Sequence, residues 1–165
     1  MLVNETYSFE EKNLFNPAYV GTIIYQAIRE HQKKADAGLH CALVYLLVPL
    51  VLSPRYLSTL PSSISSPLES WVINQEGNLI GFPESVKSYV DIVNYAVAYL
   101  ISHDAILLGE DGLYQISNDR VAKMPVLVKD TPSFKKSFLA AGFIGRWFSC
   151  ASSVESVFIH FGVKP

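Results

Sequence analysis

The sequence has little charge. Of its 165 residues only 17% are Asp, Glu, Lys or Arg, 50% are hydrophobic, and the formal net charge is −2. An average globular chain is about 25% charged. A chain this apolar can offset its conformational entropy by burial, which excludes intrinsic disorder. Its mean hydropathy of +0.24 is high for a soluble monomer. Either the protein enters a membrane, or part of its surface is not meant to face water. Long hydrophobic runs are missing too. The densest, Cys41–Leu52, has 12 residues and contains Pro49, short of the roughly 20 that a membrane-spanning helix needs. No cluster of Lys or Arg flanks it. Residues 1–11 carry Glu5, Glu10 and Glu11 and no cation, unlike a signal peptide. The two cysteines, Cys41 and Cys150, are far apart and are expected to be buried reduced thiols. A cytoplasmic location without membrane contact is the default expectation.

Catalytic and metal-binding patterns are also lacking. His31, His40, His103 and His160 have no Cys, Asp or Glu at ligand spacing, and are expected at the surface or at helix ends. There is no G-x-S-x-G, no H-E-x-x-H and no phosphate loop. The turn Gly109–Gly112 holds Glu110 and Asp111, too few oxygens for calcium. The expectation is a protein that is not an enzyme and needs no cofactor or metal.

What is present is a series of elements in one undivided domain over 1–165, without internal repeats. Asn16 and Pro17 suit the cap and first position of a helix, and Phe15 and Val20 have hydrophobic-staple spacing. Val20, Ile23, Ile24, Ala27 and Ile28 repeat helically, so a helix is predicted over about 17–35, with Gly38 as its stop. Residues 39–52 are apolar on all sides and read equally as helix or buried strand. A loop follows through Leu60, Pro61 and the Ser-rich 62–67. A short helix with Trp71 and a turn at 75–78 come next. Residues 83–102 predict a long helix apolar on two sides, one face running through Val86, Val93 and Val97, the other through Ile92, Tyr95 and Tyr99. Such a helix is expected to be central, packed between neighbours. Residues 105–116 read as a β-hairpin, and 121–128 as a third strand or an extended crossing. Thr131 and Pro132 open a helix to about Ser149. Residues 152–155 have capping-box spacing, and a last short helix stops at Gly162. The fold class is mainly α with a small β-hairpin, compact and winged-helix-like.

Helix, helix, long helix, hairpin is the order of a winged helix-turn-helix, whose long helix would enter the DNA major groove. Here that helix has one cation, Lys87, against Glu84 and Asp91, too few for phosphate contact. The basic density lies later, at Arg120, Lys123, Lys129, Lys135, Lys136 and Arg146, with only Asp119 and Asp130 among them. It reads as a solvated face or as contact with an acidic partner or a nucleic-acid backbone. Arg146, Trp147 and Phe148 combine residue types enriched at interface cores, though the arginine could equally be a core-edge cation. Lys135, Lys136, Phe143, Arg146, Trp147 and Phe148 are therefore the candidate partner-binding residues. The unabsorbed apolar residues are expected around 143–148 and 154–161, in one buried subunit interface.

Four motifs occur in order: Asn16-Pro17-Ala18-Tyr19; Leu47 to Leu52 around Pro49, followed by Leu60-Pro61; Ile144-Gly145-Arg146-Trp147-Phe148; and Phe161-Gly162-Val163-Lys164-Pro165. Together the chain resembles the small middle component of prokaryotic ABC-three-component systems. The resemblance implies a helical, winged-helix-like, non-enzymatic adaptor. It would couple an SMC-like ABC ATPase to an effector subunit in an anti-phage or anti-plasmid defence complex, with any nucleic-acid contact indirect. A homo-oligomer is a further expectation, and a winged-helix DNA-binding regulator is the alternative reading.

Overall fold

The computed structural model describes residues 16–119 and 121–164. The Phe15 staple, the acidic N-terminal residues, Arg120 and Pro165 lie outside them. Helix α1 spans Pro17–Ala35. Asn16 caps it, its side chain accepting from the Ala18 N–H at 2.9 Å. Asp36, in the left-handed region at φ 53, ends it. Gly38, expected as the stop, has another role. A Cβ there would stand 2.5 Å from the Tyr114 carbonyl oxygen, so glycine is what lets the next strand approach its neighbour.

The apolar stretch that read as helix or strand is both. β1 (Leu39–His40) leads through a 3₁₀ turn at Cys41–Leu43 into α2 (Val44–Leu52). Pro49 lies inside α2 and the helix continues three residues past it, ending where the Ser53 N–H donates to the Pro49 carbonyl. Short helices α3 (Pro54–Leu57), α4 (Leu68–Asn74) and α5 (Glu76–Leu79) follow, the last replacing the turn expected at 75–78. Helix α6 (Phe82–Ser102) leads into the hairpin β2 (Ile106–Leu108) and β3 (Leu113–Ile116). β3 is central, antiparallel to both neighbours, with Leu39 opposite Tyr114 and Ile106 opposite Ile116. The protein is thus mostly helical with one small antiparallel sheet, as the sequence predicts.

Residues 121–128 form no strand; the third strand is β1. Helix α1 explains why. The Tyr25 hydroxyl donates to the Asn118 carbonyl at 2.8 Å. The Arg29 guanidinium, itself braced on Gln26 Oε1, donates to the carbonyls of Val121 at 2.9 Å and Lys123 at 3.3 Å. Carbonyls held by a guanidinium are not free for a sheet ladder, and the chain crosses as irregular backbone into α7 (Val126–Asp130). Helix α8 (Pro132–Phe148) and α9 (Val154–Phe161) complete the chain. The cap of α9 is one residue later than the expected box: Ser153 Oγ accepts from the Ser156 N–H at 3.1 Å. Gly162, at φ 66, ends it as predicted.

The hub of the fold is α1, not the helix over 83–102. Helix α1 packs most extensively on α8 and next on α6, and α2 packs on both of those as well. Gly145 makes the α1–α8 crossing possible, since a Cβ there would lie 2.2 Å from the Ala27 carbonyl oxygen. Helix α6 lies to one side. Val86, Val93 and Val97 of its first apolar face are buried, as is Ile92 of the second, but Tyr95 and Tyr99 of the second face are exposed, and so is Ile101 in the last turn.

Candidate functional site

The six residues singled out on α8 separate by helical phase. Ser137, Phe138, Ala141, Ile144, Gly145 and Phe148 repeat along the face turned to α1 and are buried. Trp147 is 1% exposed and Phe148 4%. The Trp147 indole donates to the Ser66 carbonyl at 2.7 Å, and its ring meets Trp71 edge-on at 5.5 Å. Both residues are core and cannot anchor a partner, a correction to the sequence expectation. Phe143 is half-buried against Trp147. Arg146 pairs with Glu30 of α1 at 2.8 Å. Burial raises the Glu30 carboxyl, but hydrogen bonds from Lys33 and Arg146 outweigh it and leave its pKa lowered. The motif Ile144–Phe148 is therefore structural: a close glycine crossing, an interhelical ion pair and a buried tryptophan. Lys135 and Lys136 remain exposed, and Leu139 shares their face at helical spacing.

Apart from Ile159, the exposed apolar surface lies elsewhere than expected. In α9, Val157, Phe158 and Phe161 are buried. The exposed large apolar residues fall in three places. One is α6 and the edge strand β2 packed on it, with Tyr95, Tyr99, Ile101, Leu107 and Leu108. A second is α7 and α8, with Val126 at 74%, Leu127 at 64% and Leu139 at 50% exposure. A third is Ile73, Ile80 and Ile159, around a shallow hollow of about 560 Å³ between α4, α6 and α9. Beside the hairpin, a groove of about 700 Å³ is lined by Tyr45, Val86, Val90, Leu108, Tyr114 and Phe158. The Tyr45 hydroxyl is held by Asn94 Oδ1 at 2.5 Å. Burial first, then the neighbouring Cys41 and Tyr45, push Tyr114 up to about 12. The groove wall is largely apolar, with the Cys41 thiol and Lys87 also lining it.

The histidines and cysteines are also partly corrected. His31 is buried and bonds through Nδ1 to the Gly145 carbonyl at 2.8 Å. Burial lowers its pKa and the carbonyl partly opposes this. His160 pairs with Glu69 at 2.7 Å. Cys150 is exposed and Cys41 half-buried, so neither is the buried thiol expected. Among the described residues no group of His, Cys, Asp or Glu is placed to hold a metal, and no helix is long and apolar enough to cross a membrane. The signal missed in the sequence was Arg29. It looks like part of a polar helix end, yet it is 7% exposed and organises the 118–123 crossing. The family model for the ABC-three component (ABC-3C) system Middle Component 3 matches residues 5–165. No curated protein and no solved structure matches the chain.

Proposed function

We propose a function from one premise: the chain belongs to the Middle Component 3 family of ABC-three-component systems. It is one component of such a system, and the other components are its natural partners. In our reading it is a non-enzymatic, cytoplasmic adaptor that joins an SMC-like ABC ATPase to an effector in a prokaryotic anti-phage or anti-plasmid complex. The observation that carries this reading is the division of exposed apolar side chains among three separate places. A protein that binds one partner needs one such patch; one that stands between two components needs at least two. The helix–strand–helix order, closed by a hairpin whose second strand pairs with β1, supports a winged-helix-like reading of the fold. With Lys87 the only cation on α6, its long helix is suited to protein rather than phosphate.

The test is co-expression with the ATPase and the effector encoded beside the gene. Both are expected to co-purify with the full chain. Ile80→Asp with Ile159→Asp is expected to release one of them while the chain stays folded. Failure of both to co-purify with the unaltered chain overturns the reading. The alternative, a DNA-binding regulator, is favoured only by the exposed Lys129, Lys135 and Lys136. It requires duplex binding that weakens steeply with salt and is lost in Lys135→Glu/Lys136→Glu.

A further inference from the structure

We propose that copies of this protein bind one another head to tail. The acidic face of α6 and the hairpin in one copy meets the basic face of α7 and α8 in the next. This goes beyond the adaptor reading and does not depend on it: the hollow at Ile73, Ile80 and Ile159, and the unpaired face at each end of an open assembly, stay available to the other components.

The net charge of −2 hides an uneven distribution of the few charges present. From Ser88 to Asp119 there are five acids, Asp91, Asp104, Glu110, Asp111 and Asp119, and no Lys or Arg; earlier in α6, Glu84 stands against the single cation Lys87, which is exposed one turn before Asp91. From Arg120 to Arg146 there are six cations and a single acid, Asp130. The structure already pairs Asp119 with Arg29 and Arg146 with Glu30. Of the rest, the described residues are exposed. Asp91, Asp104, Glu110 and Asp111 stand on one side, Lys123, Lys129, Lys135 and Lys136 on the other. None of these eight takes part in an ion pair among the described residues.

Each charged set shares its segment of the chain with exposed apolar side chains. The acidic set accompanies Tyr95, Tyr99, Ile101, Leu107 and Leu108, and the basic set accompanies Val126, Leu127 and Leu139. Exposed apolar side chains interspersed with charge are what a protein interface is built from, and tyrosine is a favoured anchor in one. Within one copy no ion pair joins the two sets among the described residues, and α1 and α2 each pack on both α6 and α8. Pairing like with like would set four carboxylates against four carboxylates. The complementary surface is the other face of a second copy, which makes the contact heterologous, so that association continues beyond a pair unless a ring closes.

Sedimentation velocity on the full chain tests this at about 100 μM protein, where even a weak interface is populated. In low salt we expect a mean mass well above the 18.3 kDa of one chain, falling toward that value in about 0.5 M salt, where exposed charges are screened. Asp91→Lys/Glu110→Lys/Asp111→Lys and Lys129→Glu/Lys135→Glu/Lys136→Glu should each be monomeric alone. Mixing the two variants, or combining all six changes in one chain, should restore association. If a triple variant does not fold, Tyr99→Ser and Leu127→Ser separately should each weaken association at least tenfold. A monomeric unaltered chain overturns the proposal. So does undiminished association in either triple variant, failure of the mixture to associate, undiminished association in the serine variants, or association that nuclease abolishes.

Discussion

Helices α1 and α6 are similar in length, and the sequence makes α6 the more apolar of the two. Their places are the reverse. Eleven of the 19 residues of α1 are buried, against seven of the 21 in α6. Helix α1 takes Gln26, Arg29 and His31 inside, while α6 leaves Tyr95, Tyr99 and Ile101 outside. The difference lies in the partners. Buried polar groups are tolerated where hydrogen bonds meet them, and α1 is ringed by carbonyls from residues 121–123 and 145. Apolar groups are buried only where another element reaches them, and nothing described in this chain covers the outer face of α6. Composition reports how much of a helix prefers to be buried; it does not report how much is.

The largest effect should come from breaking the α1–α8 crossing. Gly145→Val would press a Cβ onto the Ala27 backbone, where the open distance is only 2.2 Å. Backbone cannot yield as a side chain tip can, and overpacking costs about 1–3 kcal/mol even where neighbours relax. We expect at least about 3 kcal/mol of destabilisation, or a chain that does not fold, read from its chemical denaturation midpoint. A variant with an unchanged midpoint would show that α1 is not the hub.

Arg29→Met should be the next largest. It keeps the aliphatic volume and removes the donors, leaving the carbonyls of Val121 and Lys123 without their partner. Stranding buried acceptors costs about 1–3 kcal/mol. Hydrogen exchange should quicken in residues 118–123 before it does in α6. Uniform loss of protection across the chain would place Arg29 in general packing instead.

These two residues show what the sequence made legible. The starts of α1 and α8 and the end of α9 follow from Asn16, Pro17, Pro132 and Gly162, because caps and prolines act locally. The hairpin follows from two apolar runs around Gly109 and Gly112. Long-range geometry was not legible. Nothing local says that Gly145 touches Ala27, that Arg29 reaches a loop more than ninety positions away, or that two residues of an apolar run pair with β3. Within the candidate site, the charge of Lys135 and Lys136 is enough to put them on the surface. Trp147 and Phe148 are core, because helical phase, which residue type alone does not carry, turns them inward.

A smaller effect should appear in the pH dependence of stability. His31 has its folded pKa lowered from the ordinary 6.5 by burial. Above pH 6.5 it is neutral in both states and its contribution is complete. As pH falls below 6.5 the unfolded chain takes up a proton that the folded chain resists, so stability declines through that window. Glu30, lowered from 4.5, acts in the same direction only once pH falls below 4.5. Between pH 6.5 and 4.5 the slope of unfolding free energy should therefore flatten in His31→Gln. An unchanged slope would assign the loss to other groups.

The smallest effect should come from Gly21→Ala, the counterpart of Gly145 on the α6 side of α1. A Cβ at Gly21 would first meet the Leu100 side chain, with Cγ at 3.3 Å. That neighbour is a rotatable side chain on a helix with one open face, so it can move by the few tenths of an ångström required. Replacing an interior helical glycine with alanine also gains about 0.5–1 kcal/mol of helix propensity. The two contributions oppose, and the denaturation midpoint should shift by less than about 1 kcal/mol in either direction. If Gly21→Ala proves as damaging as Gly145→Val, the α1–α6 contact is as rigid as the α1–α8 contact. The exposed face of α6 would then belong to a helix fixed as firmly as the core.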